Sequence, residues 1–429
     1  MILAFAVIFG LLLCSGMPIY LTLGVTSLIM LTFFSHIPPA MVAEVMYNAL
    51  GGFTLLAIPF FTMAAQFMTQ GGLSRQLINA VTCYVGHLWG GLAIACVFAC
   101  MFFAAICGSS VATALSMGII IVPAMRQMGY SASFATGVVA SSGTMGIMIP
   151  PSIALILYGI ITEQSIPRLF LGGVVPGCLE GALYISWIYI YARHMGFRGK
   201  EKATLKQTIL ATGKAVPALM LPIIVLGGIY SGIVTVTEAA GLAAGSAMVV
   251  ALFIYREVKP WEVLRISTDA MKQAGMIMII IATATVFGHW ITHAGIPARL
   301  VELVREMGLP NWVFLLFCNL LFLFLGMFLE VVSIMLITLP ILFPAVMELG
   351  ISPIHFGVMM VVNMEVALIT PPVGLNLFVL SGVARVPLRE TIKGAFPFVI
   401  LGLIEIGLVT YIPQLVTFIP DWLLGIEGG

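Results

Sequence analysis

Long apolar runs separated by short polar stretches dominate the chain. They occupy about 2–14, 18–34, 54–69, 91–125, 133–163, 169–192, 215–233, 237–255, 268–290, 312–347, 354–383 and 394–418. Their apolar positions are continuous rather than alternating, which predicts membrane helices and not a β-barrel. Runs 91–125 and 312–347 are too long for one crossing. Polar residues interrupt each at mid-length: Gly108, Ser109 and Ser110 in the first, and Leu329 to Ser333, including Glu330, in the second. Both read as re-entrant hairpins, which leaves ten spans. Runs 133–163 and 354–383 each carry a Pro-Pro pair, Pro150–Pro151 and Pro371–Pro372. Proline removes a backbone donor and breaks the helix, and a broken helix at membrane depth is tolerated only inside protein or beside a watery cavity.

The two halves echo one another. Thr69–Val81 matches Thr292–Val304, and Pro123, Gly129, Ser131, Pro150 and Pro151 match Pro344, Gly350, Ser352, Pro371 and Pro372. Each half holds five spans and one hairpin. Five is odd, so the repeats are expected to be inverted, a pattern of secondary transporters in which paired breaks mark the binding site. Before each hairpin lies an amphipathic arm: Leu73, Leu77, Ile78 and Val81 share a face in the first, and Ile296, Leu300, Leu303 and Val304 in the second.

Basic residues set the orientation. With Arg193, Arg198, Lys200, Lys202, Lys206 and Lys214 in the cytoplasm, Arg75, Arg126, Arg256, Lys259, Arg265, Arg385, Arg389 and Lys393 also fall inside. Only Arg168, Arg299 and Arg305 fall outside. Both termini are then periplasmic. The segment starting Met1-Ile2-Leu3 lacks a basic leader and reads as a retained span. The expected organisation is an all-α polytopic membrane protein: 1–90 scaffold and first arm, 91–192 transport elements of the first repeat, 193–214 a cytoplasmic loop, 215–311 scaffold and second arm, 312–393 transport elements of the second repeat, and 394–429 the final span and C-terminus.

Composition agrees. The 429 residues are 61% hydrophobic and 8% charged, with a net charge of +1, against roughly 25% charged in soluble domains. A near-neutral chain gives nucleic acid no footing. The seven cysteines are scattered, and Cys96 and Cys100, one turn apart, read as packing residues. His289 and His293 lack the glutamate of a zinc-protease motif, and no P-loop or G-x-S-x-G occurs. Glu238, in T-V-T-E-A-A, reads as a helix cap. Nothing points to an enzyme, and the absence of a polar stripe along any span disfavours a channel.

The polar residues at the tips and breaks are the candidate chemistry. Gly108, Ser109 and Ser110 with Ser141, Ser142 and Gly143 offer neutral oxygens suited to a dehydrated Na⁺. The second half offers Glu330, Ser333, Asn363, Glu365, Thr370 and Gly374. Ionisable groups inside a membrane are costly and functional by default, so Glu365 is also a candidate proton carrier. The first site has no carboxylate to store a proton, which favours Na⁺ as the main coupling ion. Substrate is expected near Thr144, Pro150, Ser152 and Asn376.

At L-L-A-I-P-F-F (55–61), G-G-L-S-R-Q-L (71–77), G-S-S-V-A-T-A (108–114), A-S-S-G-T-M-G-I-M-I-P-P-S-I (140–153), T-E-A-A (237–240) and T-P-P-V-G-L-N (370–376) the chain resembles the large membrane subunit of tripartite ATP-independent periplasmic (TRAP) transporters, most nearly the sialic acid type. The resemblance implies Na⁺-driven import of an organic acid across the bacterial inner membrane, sialic acid or a C4-dicarboxylate. It also implies an elevator motion of hairpins and broken helices against a scaffold. The implied partners are a small four-span membrane subunit and a soluble periplasmic substrate-binding protein. A stand-alone ion-coupled carrier of the same superfamily is the alternative. One departure is S-G-T-M-G-I-M-I-P-P, where many members read S-T-I-G-P-I-I-P-P, so Gly143 and Met148 reshape the first site.

Overall fold

The computed structural model describes residues 2–35, 38–199 and 201–425. Lys200 of the expected loop and residues 426–429 of the expected periplasmic C-terminus lie outside the described residues, as does Met1 at the other terminus. Among the described residues the chain forms twenty α-helices and no strand.

The first half opens with α1 (Ile2–Cys14), α2 (Ile19–Ile29, continued by a π-helical turn, Met30–Phe34), α3 (Pro39–Leu50) and α4 (Ala57–Gln70). The first arm is α5 (Leu73–Val85). The first hairpin is α6 (Gly91–Cys107) and α7 (Ser110–Gln127), and the first broken helix is α8 (Ala132–Thr144) and α9 (Ile153–Thr162). Then come α10 (Ile166–Met195), α11 (Leu205–Tyr230), α12 (Val236–Val249, again continued by a π-helical turn, Val250–Ile254) and α13 (Val263–His293). The second arm is α14 (Ile296–Glu306), followed by the hairpin α15 (Asn311–Gly326) and α16 (Val331–Glu348). The second broken helix is α17 (Pro353–Ala367) and α18 (Leu375–Ala384), and the chain closes with α19 (Leu388–Tyr411) and α20 (Gln414–Leu424).

Local chemistry fixes the ends. Ser131 Oγ accepts from Phe134 N at 3.1 Å, and Ser152 Oγ from Leu155 N at 3.2 Å, satisfying N-terminal donors the helix itself leaves open. Thr235 and Glu238 form a capping box: Thr235 Oγ1 accepts from Glu238 N, and Glu238 Oε2 accepts from Thr235 N at 2.8 Å. Glu238 therefore sits three residues inside the helix as the box partner, and Thr235 is the cap. Pro413 ends the last span, so the expected segment 394–418 divides into α19 and α20.

One expectation changes. The loop at 193–214 shrinks to 196–204, because α10 carries Arg193 and α11 carries Lys206 and Lys214. A 30-residue helix rises about 45 Å and overshoots a core of about 30 Å, lifting its last turn into water. Among the described residues eight helices are long and apolar enough to cross, six of them expected spans and two the second hairpin limbs, Ser110–Gln127 and Val331–Glu348. Two more of the expected spans are the broken helices, each divided into two shorter helices. In contrast α1, with 13 residues, rises only about 20 Å.

The broken helices form the core. In α17 every residue from Ile354 to Ala367 is buried, and in α8 every residue from Phe134 to Thr144. Helices apolar all round belong inside. α8 packs along α19 where two glycines meet: a Cβ on Gly137 would lie 2.1 Å from the Gly394 carbonyl carbon. Ser133 Oγ donates to Glu390 O at 2.6 Å across the same contact. Arg75 pairs with Glu257 at 3.2 Å, tying the first arm to the connection that follows α12 and its π-helical turn. Arg305 Nε donates to Glu348 Oε1 at 3.1 Å, tying the second arm to α16.

Candidate functional site

Each hairpin turn meets the break of its own half. Gly108 closes the first turn with φ +60°, a conformation that suits glycine. A Cβ there would lie 3.1 Å from Pro151 O and from Ile153 N. Gly146, inside the first break, lies so close to the turn that a Cβ would sit 2.6 Å from Ser109 O. In the second half Gly374 N donates to Met327 O at 3.4 Å, and a Cβ on Gly326 would sit 2.4 Å from Ala367 Cβ. The Pro150–Pro151 and Pro371–Pro372 peptide bonds are both cis. The breaks are also joined to each other, since Asn376 Nδ2 donates to Ala140 O at 3.3 Å.

A cavity of about 110 Å³ lies between the two turns. Its walls include Ser110 and Val111 of α7, Ile153 and Ala154 of α9, Val331 and Val332 of α16, and Leu375 of α18. These are the N-terminal ends of four helices, and such ends carry partial positive charge and unsatisfied N–H groups. Gly108 and Ser109 complete the first wall, Ile277 of α13 and Leu368 another, and Glu330 is the one charged residue in the lining. Ser333 Oγ donates to Glu330 Oε1 at 3.4 Å.

The candidate residues divide into three groups. Gly108, Ser109, Ser110 and Glu330 line the cavity. Ser141 and Ser142 are fully buried outside its lining, and neither hydroxyl has a hydrogen-bond partner. Gly143 packs on α7, where a Cβ would lie 2.8 Å from Ala114 Cβ. The rest are tied into the framework. Ser152 caps α9 and donates to Ile147 O. Thr370 Oγ1 donates to Val366 O at 2.6 Å. Asn363 Nδ2 donates to Asn319 Oδ1 and Met359 O, both at 2.8 Å. The four residues expected to touch substrate, Thr144, Pro150, Ser152 and Asn376, are all buried outside the cavity lining.

Glu365 belongs to a different grouping. With Glu180 and Tyr184 of α10 and Glu405 of α19 it forms a cluster buried between three helices. Each carboxylate is 1% exposed, and both Glu365 oxygens, Glu180 Oε2 and Glu405 Oε1 have no hydrogen-bond partner. Thr144, the last residue of α8, contacts Glu180 Oε1 at 3.2 Å. Tyr184 packs edge-on against Phe398 at 5.0 Å between ring centroids. Sequence reasoning overlooked Glu180 and Glu405. The signal was available, since each is the lone carboxylate of its apolar run, 169–192 and 394–418.

The architecture matches that of known membrane transporters. The solved structure of the YdaH transporter of Alcanivorax borkumensis superposes with a TM-score of 0.63 at 16% identity, covering 86% of each chain. The sequence is more specific. Residues 5–415 match the family model "Tripartite ATP-independent periplasmic transporter, DctM component", and the chain belongs to that family. It is therefore an integral membrane permease subunit of a tripartite transporter and not an enzyme. It is 45% identical over 402 residues to the C4-dicarboxylate TRAP transporter large permease protein DctM of Pseudomonas aeruginosa, covering 94% of each. To the sialic acid TRAP transporter permease protein SiaT of Haemophilus influenzae it is 31% identical, covering 95% of this chain and 66% of that protein. The sequence resemblance leaned toward the sialic acid type, whereas the greater identity of these two lies with the C4-dicarboxylate relative.

Proposed function

We propose that the chain imports a small organic diacid of the C4-dicarboxylate class, with Na⁺ as coupling ion, across the bacterial inner membrane. The observation that carries this reading is the convergence of four helix N-termini on one cavity without an arginine or lysine in its lining. Helix N-termini favour an anion, and the charge they leave unbalanced, together with that of Glu330, calls for cations that arrive with the substrate. The buried, unpartnered hydroxyls of Ser141 and Ser142 are neutral oxygens of the kind Na⁺ takes in broken-helix transporters. A cavity of about 110 Å³ is far below the 300 Å³ and upward of sites for drug-sized ligands, so it suits a four-carbon diacid better than a nine-carbon sugar acid.

The motion in this reading is an elevator. The hairpins α6–α7 and α15–α16 and the broken helices α8–α9 and α17–α18 move together against a scaffold that includes α4 and α13. The same order of arm, hairpin and broken helix in both halves supports a repeat; the odd number of expected spans per half makes it inverted, and the distribution of basic residues puts both termini in the periplasm. The working assembly adds a small four-span membrane subunit and a soluble periplasmic binding protein.

The test is uptake of radiolabelled succinate, and separately of sialic acid, into proteoliposomes holding this chain and the small subunit. Succinate uptake that requires an inward Na⁺ gradient and the binding protein is the expected result. Uptake of sialic acid but not succinate overturns the substrate class. Uptake without Na⁺ overturns the coupling ion, and uptake by this chain alone overturns the partners.

A further inference from the structure

A groove on the outer surface between α11 and α12 has no occupant within this chain. Pro217, Met220, Leu221 and Ile224 of α11 form one wall, spaced along a single helical face. The floor is Gly241, Gly245 and Ser246 of α12, a G-x-x-x-G followed by a small residue. A Cβ on either glycine would meet no heavy atom within 4 Å. The groove has a volume of about 490 Å³ and ends at Ile254, so it follows α12 for about 20 Å at 1.5 Å per residue. Its rim is apolar and uncovered: Met220 is 41% exposed, Leu242 46% and Val249 45%. Of the eight helices among the described residues that are long and apolar enough to cross a membrane, α11 is the least covered, at 22% buried.

We propose that this groove seats a transmembrane helix of the small membrane subunit. Inside a bilayer burial of apolar surface does not drive helices together, because lipid tails are as apolar as leucine. Helices associate where small residues let backbones approach, and a small-xxx-small floor provides that. These glycines form no such contact within the chain, so the approaching backbone is another polypeptide's. The family is tripartite, so this component works with others, and the isethionate relative, a permease protein named DctMQ, carries further chain beyond the 65% that this protein matches. The inference rests on the reading that this chain works with a membrane subunit, and it adds the surface.

The experiment is co-purification of the small subunit with tagged wild type, Gly245→Leu and Gly407→Leu, the last an α19 glycine that also has open space around it. Gly245→Leu is expected to cut recovery of the small subunit about tenfold, which corresponds to about 1.4 kcal/mol, while Gly407→Leu leaves it unchanged. Equal recovery with Gly245→Leu and wild type overturns the groove alone. Absence of the small subunit from wild type overturns the partner reading and the groove together. A photo-crosslinker at Met220 in otherwise native chain gives a check independent of the leucine variant. An adduct with the small subunit supports the proposal; an adduct with a second copy of this chain, or with lipid alone, overturns it.

Discussion

The Thr144 hydroxyl lies 2.6 Å from Ser141 O and 3.2 Å from Glu180 Oε1. Thr144 Oγ1 donates toward both, sharing its one proton between the two acceptors. A glutamine at position 180 keeps an acceptor oxygen there, and a leucine does not. Glu180→Gln is therefore expected to keep Na⁺-driven uptake within about threefold of wild type. Glu180→Leu is expected to lose at least about tenfold, because Thr144 and the Tyr184 hydroxyl lose a buried partner, at about 1–3 kcal/mol each. Initial uptake rates in proteoliposomes, matched for protein content, decide between them. Equal loss in both variants would mean that the negative charge itself is needed.

The crossing of α8 and α19 tolerates no side chain. With a Cβ on Gly137 placed 2.1 Å from the Gly394 carbonyl carbon, backbone faces backbone and neither can give locally. Gly137→Ala is expected to cost about 3 kcal/mol, seen as a lower midpoint of thermal unfolding in detergent. Gly407→Ala, on the same α19 but with nothing near its Cβ, is expected to leave the midpoint unchanged or slightly raised through better helix propensity. A midpoint equal to wild type for Gly137→Ala would remove this contact from the packing account.

Glu330 is the one charged residue lining the cavity between the turns. A carboxylate there repels an anionic substrate unless a cation sits with it, so it ties substrate entry to cation entry. Glu330→Gln removes the repulsion and the tie together. The expected outcome is weaker Na⁺ dependence: a half-saturating Na⁺ concentration raised about tenfold, with substrate KM at saturating Na⁺ changed by less than about threefold, since one charge–cation contact is worth about 1.5–3 kcal/mol. The two titrations are run separately on the same proteoliposomes. An unchanged Na⁺ curve places the coupling ion elsewhere.

Much of this arrangement was legible in the residue pattern. Pro150–Pro151 and Pro371–Pro372 announced the breaks because proline cannot donate to the helix ladder. Gly108–Ser109–Ser110 and Glu330 announced the turns because polar residues stand out within long apolar runs. Short-range signals of this kind survive in one dimension. What pattern alone hid was which way side chains turn: Thr144 and Glu365 lie in the same apolar environment as their neighbours, yet face Glu180 and Glu405 rather than the cavity. Burial of that cluster depends on α10, α17 and α19 meeting, which no local spacing encodes. Helix length was hidden for a related reason, since Arg193 and Lys206 read as loop by charge although helices continue past the hydrocarbon into water.

The contact between Gly146 and the first turn links the break to the hairpin most directly. A methyl on Gly146 would lie 2.6 Å from Ser109 O and 2.8 Å from Thr113 Oγ1, and Ser109 O already accepts from Thr113 Oγ1 at 2.8 Å. The turn would have to retreat from the break by several tenths of an ångström, taking Ser109 and Ser110 with it. If those residues contribute oxygens to the first Na⁺ site, Gly146→Ala should weaken Na⁺ binding more than it weakens the fold. The expected outcome is a half-saturating Na⁺ concentration raised at least about tenfold, with an unfolding midpoint within a few degrees of wild type, since a displacement of this size costs roughly 1–3 kcal/mol. Paired Na⁺ titrations of uptake and thermal unfolding of the same preparation separate the two effects. A fall in the midpoint with an unchanged Na⁺ curve would assign Gly146 to packing alone and move the ion away from the first turn.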